Sequence, residues 1–373
     1  MDNKNTIIKI LFLLSNLSGG GAQRTIVNLL KGLDRRKFMP SLALLDYNSN
    51  DAYASLIPSD IEIINLNSRG RYAAWKIKRL IESNEPDILF STLPQVNFAV
   101  WLGNKISKKS VKLILRETNY RDVETNTTVF KQKLYQKMYK DADKVIALSE
   151  GVRKHMVKTY RLKESKVIRI YNPVDIENIK KLSMEICNIK YTKKFKLIAC
   201  GRLAKQKNYS MLVNALSMLK QKDCSDFELF IMGTGPDEAE IIKLIETKGL
   251  KENIKLIGFQ TNPYAYMKQA DLFVLSSLWE GFGHVVVEAM ACGTPVLSTD
   301  CPHGPREILE NGKYGWLVPN NGSDQLAGML EYLMFEPNEI NLMSTKVCER
   351  AKSFNFTNIV QQYEIIFIKV KEE

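Results

Sequence analysis

Ile7-Ile8-Lys9-Ile10-Leu11-Phe12-Leu13-Leu14, with the Leu17-Ser18-Gly19-Gly20-Gly21-Ala22-Gln23-Arg24 that follows it, decides the fold. An apolar run broken only by Lys9 suits a strand covered on both faces of a parallel sheet. Three glycines then stop the strand, and apolar residues at helical spacing predict a helix over 22–33. Short apolar runs at 41–45, 61–65, 88–91, 113–116, 145–148 and 167–170 alternate with helix-like stretches at 73–82, 98–105, 129–141 and 150–160. Repeated βα order implies an α/β class with a mostly parallel sheet between helices.

After Asn172 and Pro173 the pattern gives way to a polar, Lys-rich stretch as far as Lys194, and then restarts. Strands are expected at 195–200, 227–232, 254–256, 272–275 and 296–298, with helices at 208–220 and 237–248. The expectation is two Rossmann-like domains, 1–175 and 176–356. A last helix over 357–371 carries Val360, Tyr363, Ile366, Phe367 and Val370 behind Thr357 as N-cap. Parallel sheets bind ligands beyond the carboxyl ends of their strands. Two such domains in series place these loops across a cleft, so function belongs to the strand-to-helix junctions.

A length of 373 residues fits two domains, and 45% hydrophobic with 25% charged residues excludes disordered and low-complexity classes. The six cysteines (Cys187, Cys200, Cys224, Cys292, Cys301, Cys348) all lie in the second half without a C-x-x-C pair. With only His155, His284 and His303 beside them, reduced thiols and no protein-built metal site are expected. No apolar stretch approaches the roughly 18 residues needed to span a bilayer, and the first strand has no cleavage signal, so a cytoplasmic location is expected. Net charge is +12, but residues 1–173 carry +14 and the rest −2. The basic half suits an anionic surface, membrane lipid or nucleic acid, unless it is simply solvated.

Three junctions carry chemistry. At Gly19-Gly20-Gly21 the backbone can approach an anion or a sugar closely at a helix N-terminus. As a dinucleotide fingerprint the segment is poor, because Arg24 fills the last glycine position; Asp46 is the one feature in favour of a nicotinamide cofactor. At Gly201-Arg202-Leu203-Ala204-Lys205-Gln206-Lys207-Asn208, Arg202 and Lys207 flank a turn, with Asn208 as a candidate N-cap. Such a pair suits a diphosphate leaving group, on which charge develops as the bond breaks; the plain alternative is an exposed basic loop. The third runs Ser277-Leu278-Trp279-Glu280-Gly281-Phe282-Gly283-His284-Val285-Val286-Val287-Glu288. The glycines argue against one continuous helix, so Glu280 is expected in a loop and Glu288 in the first turn of the next helix. Two carboxylates so placed would grip hydroxyls of a nucleotide sugar while the intervening amides hold phosphate. Otherwise they are a surface acid and a helix N-terminal acid.

Glu280 through Glu288, continued by Ala289-Met290-Ala291-Cys292-Gly293-Thr294-Pro295-Val296, resembles the E-x7-E signature of retaining glycosyltransferase family 4. Gly19-Gly20-Gly21-Ala22-Gln23, Ala147-Leu148-Ser149-Glu150-Gly151-Val152, Tyr171-Asn172-Pro173-Val174-Asp175, Gly201-Arg202-Leu203 with Lys207-Asn208, Gly233-Thr234-Gly235-Pro236 and Gly258-Phe259 agree in type and order. The resemblance implies a GT-B fold: an acceptor-binding first domain, a sugar-nucleotide-binding second domain, and a last helix crossing back to the first. It implies that Arg202 and Lys207 contact the diphosphate, Glu288 the ribose, Glu280 the transferred sugar, and the amides of Gly281, Phe282 and Gly283 the sugar and phosphate. Gly201 would line that pocket, Phe259 would lie beside the base, and Gly20 and Gly21 would complete the phosphate site. No metal and no cofactor is implied, the nucleotide sugar being a substrate.

The segment Ser298-Thr299-Asp300-Cys301-Pro302-His303-Gly304-Pro305-Arg306-Glu307-Ile308 is similar to members that build bacterial surface polysaccharides or glycans on lipid carriers. It implies a hexose or N-acetylhexosamine from a donor of the UDP type, and a lipid-linked saccharide acceptor. Many relatives have a histidine where this chain has Arg116-Glu117-Thr118-Asn119. Glu117 is expected to orient a sugar or acceptor hydroxyl, with a phosphate-binding Arg116 or an internal salt bridge as rivals. His284 and His303 are expected to pack or hydrogen-bond and not to act as bases. Two segments, Arg69, Arg71, Tyr72, Trp75, Lys76, Lys78 and Arg79, and Lys131, Lys133, Tyr135, Lys137, Tyr139 and Lys140, are expected to lie on anionic headgroups at the inner face of the plasma membrane. A sugar-nucleotide epimerase and a non-catalytic nucleotide-sugar-binding protein are the rival classes. No nucleic-acid partner is expected, since no RNA-recognition or helix-turn-helix signature is present.

Overall fold

A computed structural model describes residues 7–68, 72–118, 129–187 and 189–373. The chain divides into two units: Met1–Pro173 with Phe356–Glu373, and Val174–Asn355. The first runs β1 (Ile8–Leu14), α1 (Gly21–Gly32), β2 (Phe38–Leu44), β3 (Glu62–Asn65), α2 (Tyr72–Asn84), β4 (Ile88–Thr92), α3 (Pro94–Ile106), β5 (Lys112–Glu117), α4 (Val129–Asp141), β6 (Lys144–Ala147), α5 (Glu150–Tyr160) and β7 (Val167–Arg169). Its sheet has the order β3-β2-β1-β4-β5-β6-β7, and every pairing is parallel.

The second unit runs α6 (Ile176–Ser183), β8 (Phe195–Cys200), α7 (Tyr209–Gln221), β9 (Phe227–Met232), α8 (Glu238–Thr247), β10 (Ile254–Leu256), α9 (Pro263–Gln269), β11 (Leu272–Leu275), α10 (His284–Ala291), β12 (Val296–Thr299), α11 (Pro305–Ile308), β13 (Trp316–Val318), α12 (Ser323–Phe335) and α13 (Pro337–Ala351). Its parallel sheet has the order β10-β9-β8-β11-β12-β13. Every expected strand is present within a few residues. The sequence reading did not foresee α6, α9, α11, β13, α12 or α13. In the Lys-rich stretch, α6 forms because Asp175 caps it, accepting from the Asn178 amide at 3.1 Å, and because Ile176 and Ile179 are buried.

The chain leaves the first unit at Pro173 and returns to it as α14 (Phe356–Glu372). Thr357 lies inside this helix and not at its N-cap, because the helix starts one residue earlier than expected. Ile359, Val360, Tyr363, Ile366, Phe367 and Val370 are buried in one core with Phe12, Phe38 and Phe90. Phe90 and Phe367 meet edge-to-face at 5.7 Å, and Phe12 and Phe90 are 5.2 Å apart. Asn208 stands before α7 in a left-handed conformation (φ 48°) with no side-chain cap; its amide instead donates to Met211 Sδ at 3.5 Å.

Arg116, near the end of β5, is fully buried. Its guanidinium donates to Tyr363 Oη (3.2 Å), Thr92 Oγ1 (3.1 Å), Thr25 Oγ1 (3.4 Å) and Asn172 Oδ1. Enclosed by these neutral acceptors, it is not exposed to bind an acceptor phosphate, and among the described residues it has no carboxylate partner. The residue instead links β5 to α14 and to the segment leaving the unit. Tyr363→Phe removes the acceptor of a buried cation and is expected to lower stability by about 1.5–3 kcal/mol, read from the denaturant midpoint.

Candidate functional site

In each sheet the strand order reverses at one place: between β1 and β4, and between β8 and β11. At such a point adjacent loops leave the sheet in opposite directions and open a crevice at the carboxyl ends. The loops after β8 and β11 hold most of the predicted residues of the second unit.

Lys207 comes from the loop after β8 and Glu280 from the loop after β11. Lys207 Nζ donates to Glu280 Oε1 at 2.6 Å, with both side chains largely buried (15% and 9% exposed). Ser277 Oγ donates to the same oxygen at 2.7 Å. Three more bonds join the two loops: the Leu278 amide to the Gln206 carbonyl (2.8 Å), Gln206 Nε2 to the Trp279 carbonyl (2.8 Å) and Ser276 Oγ to the Lys207 carbonyl (2.8 Å). From the far side, Asn320 Nδ2 donates to the Leu278 carbonyl at 2.8 Å. Arg202 is exposed and has no ion-pair partner among the described residues. Of the two predicted phosphate-binding cations, Lys207 is therefore neutralised by a carboxylate and Arg202 faces water.

Glycine supplies the close approaches. A Cβ at Gly233 (φ 132°) would collide with the Gly201 carbonyl, so these two strand ends touch through backbone alone. Gly283 (φ 91°) turns the chain into α10, and the buried Phe282 ring packs at 5.6 Å on Phe354, fixing the Gly281–Gly283 turn from beneath. Glu288 is the fifth residue of α10. It thus lies in the second helical turn and not the first, with its side chain buried. Phe259 is 74% exposed after β10. His284 packs edge-on against Phe282 at 5.5 Å, and burial lowers the His303 pKa against an opposing Glu307. Burial, and then the Glu280 charge, push the Cys301 thiol up to about 12, so it stays a thiol; none of the six cysteines is in a disulfide.

In the first unit, Gly20 is the N-cap of α1 (φ 114°) and Gly21 its first residue. Glu117, at the end of β5, is buried. It accepts from Tyr139 Oη at 2.5 Å and from the Thr118 amide at 3.0 Å. Tyr139 is thus buried and does not belong to the exposed face assigned to it with Lys131, Lys133, Tyr135, Lys137 and Lys140. On α2, Lys76 Nζ is tied back to the Leu66 and Asn67 carbonyls at 2.6 and 3.0 Å, while Tyr72, Trp75 and Arg79 stay exposed. Arg69, Arg71 and Asn119 lie outside the described residues. Ser277 was given no role in the sequence reading, although it stands three residues before Glu280.

Two family models match: "Glycosyltransferase Family 4" over residues 19–178 and "Glycosyl transferases group 1" over residues 187–351. The chain belongs to the family 4-type glycosyltransferases. This glycosyltransferase is 28% identical over 369 residues to the N-acetylgalactosamine-N,N'-diacetylbacillosaminyl-diphospho-undecaprenol 4-alpha-N-acetylgalactosaminyltransferase of Campylobacter jejuni, covering 95% of this chain and 97% of the relative. It is 23% identical to the amylovoran biosynthesis glycosyltransferase AmsD of Erwinia amylovora, over 87% of this chain and 90% of that one. Its fold, GT-B, matches that of Anabaena HepE crystallised with UDP, at a TM-score of 0.83, 20% identity, and coverage of 97% and 100%.

Gly233→Ala is expected to cost about 1–3 kcal/mol from backbone strain alone, with the clash against Gly201 in addition. Thermal melting would measure the loss.

Proposed function

We propose that this glycosyltransferase moves a hexose or N-acetylhexosamine from a UDP-type nucleotide sugar to a lipid-linked saccharide, with retention at the anomeric carbon, in bacterial surface glycan synthesis. The observation that carries the reading is the Lys207–Glu280–Ser277 constellation at the strand-order reversal of the second unit, with exposed Arg202 on the same loop as Lys207. The name of the Campylobacter relative supports a lipid-diphosphate-linked acceptor, and the UDP complex of HepE supports the nucleotide.

In this reading Arg202 and Lys207 hold the diphosphate, Glu288 the ribose hydroxyls, and Glu280 a hydroxyl of the transferred sugar. The Gly201 and Gly281–Gly283 backbone lines the phosphates, and Phe259 lies against the base. Gly20 and Gly21 offer amides at the α1 N-terminus. The acceptor hydroxyl attacks C1 as the C1–O bond to the β-phosphate breaks, and a phosphate oxygen on the same face takes the hydroxyl proton. Arg202 and Lys207 stabilise the charge gathering on that phosphate, which is where fixed cations accelerate transfer most. Glu117, held by Tyr139 and Thr118, orients a hydroxyl on the acceptor side.

No described helix is long and apolar enough to cross a membrane. We assign the reach to a lipid-borne acceptor to the basic first unit. Tyr72 and Trp75 on α2 are 67% and 62% exposed, with Arg79 one turn beyond Trp75, and aromatic rings with cations suit an anionic headgroup layer.

Glu288→Gln and Lys207→Ala are each expected to lower transfer from UDP-sugars by about 10²–10³-fold, the usual effect of losing one preorganised contact to developing charge. Wild-type turnover in both, measured as UDP release with lipid-linked saccharide present, would overturn the assignment. Trp75→Ala is expected to weaken binding to phosphatidylglycerol vesicles in flotation assays, with UDP affinity unchanged.

A further inference from the structure

The geometry points to Ser277 as a positioning residue that keeps the Glu280 carboxylate aimed at the donor sugar once Lys207 turns to the diphosphate. The inference rests on the reading above and adds to it a residue with its own test. Ser277 is fully buried two residues beyond β11, and its carbonyl accepts from Thr299 Oγ1 at 2.6 Å, so its backbone is fixed to β12. Its hydroxyl and the Lys207 ammonium both donate to Glu280 Oε1, at 2.7 and 2.6 Å. No described residue engages Glu280 Oε2.

The two donors differ in kind. An ammonium on a four-carbon stem is a mobile point charge that follows the strongest nearby anion. A diphosphate beside Lys207 competes directly with Glu280 for it. The serine hydroxyl carries no charge, is anchored through Thr299, and has no reason to leave. With Oε1 kept by Ser277, the carboxylate plane stays fixed and Oε2 remains an acceptor of defined direction for a sugar hydroxyl. Without Ser277, the carboxylate is free to rotate when Lys207 departs.

The test compares Ser277→Ala in the wild-type and Glu280→Gln backgrounds. The nucleoside diphosphate is the one that a melting-shift screen selects from UDP, GDP and ADP, used together with its sugar conjugates. Ser277→Ala should keep diphosphate affinity within about twofold, as expected for a group that does not touch that ligand. Its kcat for nucleotide release from the sugar conjugate should fall by about 10- to 100-fold, the scale of one hydrogen bond to a charged group. In Glu280→Gln the same substitution should cost no more than about twofold. If Ser277→Ala does not melt cooperatively, Ser277→Cys, close in volume and a weak donor, replaces it. Unchanged kcat, equal losses in both backgrounds, or loss of diphosphate affinity in step with kcat would each overturn the role of Ser277 alone. A wild-type protein that binds none of the three diphosphates overturns the donor reading and this inference with it.

Discussion

The ion pair between Lys207 and Glu280 is the constraint on which the second unit's site depends. Each charge leaves most of its water behind, and that desolvation is repaid only if the partner stays close and the remaining hydrogen bonds are made. Ser277 supplies one of them. The three other loop-to-loop bonds hold the backbones that carry the pair, so the β8 and β11 loops behave as one structure. The same pairing stations the Lys207 ammonium beside Glu280, on a flexible stem that lets it answer a stronger anion while Ser277 keeps its own bond to the carboxylate.

A parallel sheet must be covered on both faces, and this requirement explains the path of the chain. In the first unit the apolar face of β1 and β4 presents Phe12 and Phe90, and it is α14, the last segment, that covers them. Arg116 then fastens both chain segments at the boundary of this unit. It bonds to Asn172, just before the chain leaves, and to Tyr363, two turns after it returns. A fully buried guanidinium is a poor contributor to net stability, but its five donors in a fixed fork specify where each acceptor must sit.

Much of this was legible in the sequence because its signals are local. The strands of both sheets are short apolar runs closed by glycine or polar residues, and their βα order gives parallel pairing. Gly281 and Gly283 signal the break before the next helix, and Gly283 does turn the chain into α10 with a positive φ. What escaped was set by tertiary contact. Ile176 and Ile179 make α6 a helix only because they are buried, and the surrounding lysines masked that periodicity. Asn208 carries a capping residue's chemistry, but the turn through Lys205–Lys207 holds it in a left-handed conformation. Tyr139 reads as an interfacial aromatic among lysines, yet it faces inward because α4 must cover the end of β5. Ser277 is invisible to spacing arguments, since a serine before a motif has no signature until its hydroxyl is seen on Glu280.

The departure at Arg116-Glu117 acquires a physical meaning from strand geometry. Successive residues of β5 point to opposite faces of the sheet, so Arg116 enters the α1 and α14 side and Glu117 the α4 side. The arginine is therefore spent on architecture, and the chemistry available at the end of this strand is that of Glu117. Burial first, and then the Glu117 charge, raise the Tyr139 pKa well above its ordinary value, so the phenol keeps its proton and donates it to the carboxylate. The carboxylate accepts from Tyr139 and from the Thr118 amide, and these two donors, one on α4 and one on the adjacent backbone, set its orientation. Under the proposed reading, a carboxylate held in this way is suited to giving an acceptor hydroxyl its direction. In the proposed mechanism the acceptor proton passes to the departing phosphate, where Arg202 and Lys207 would meet the charge.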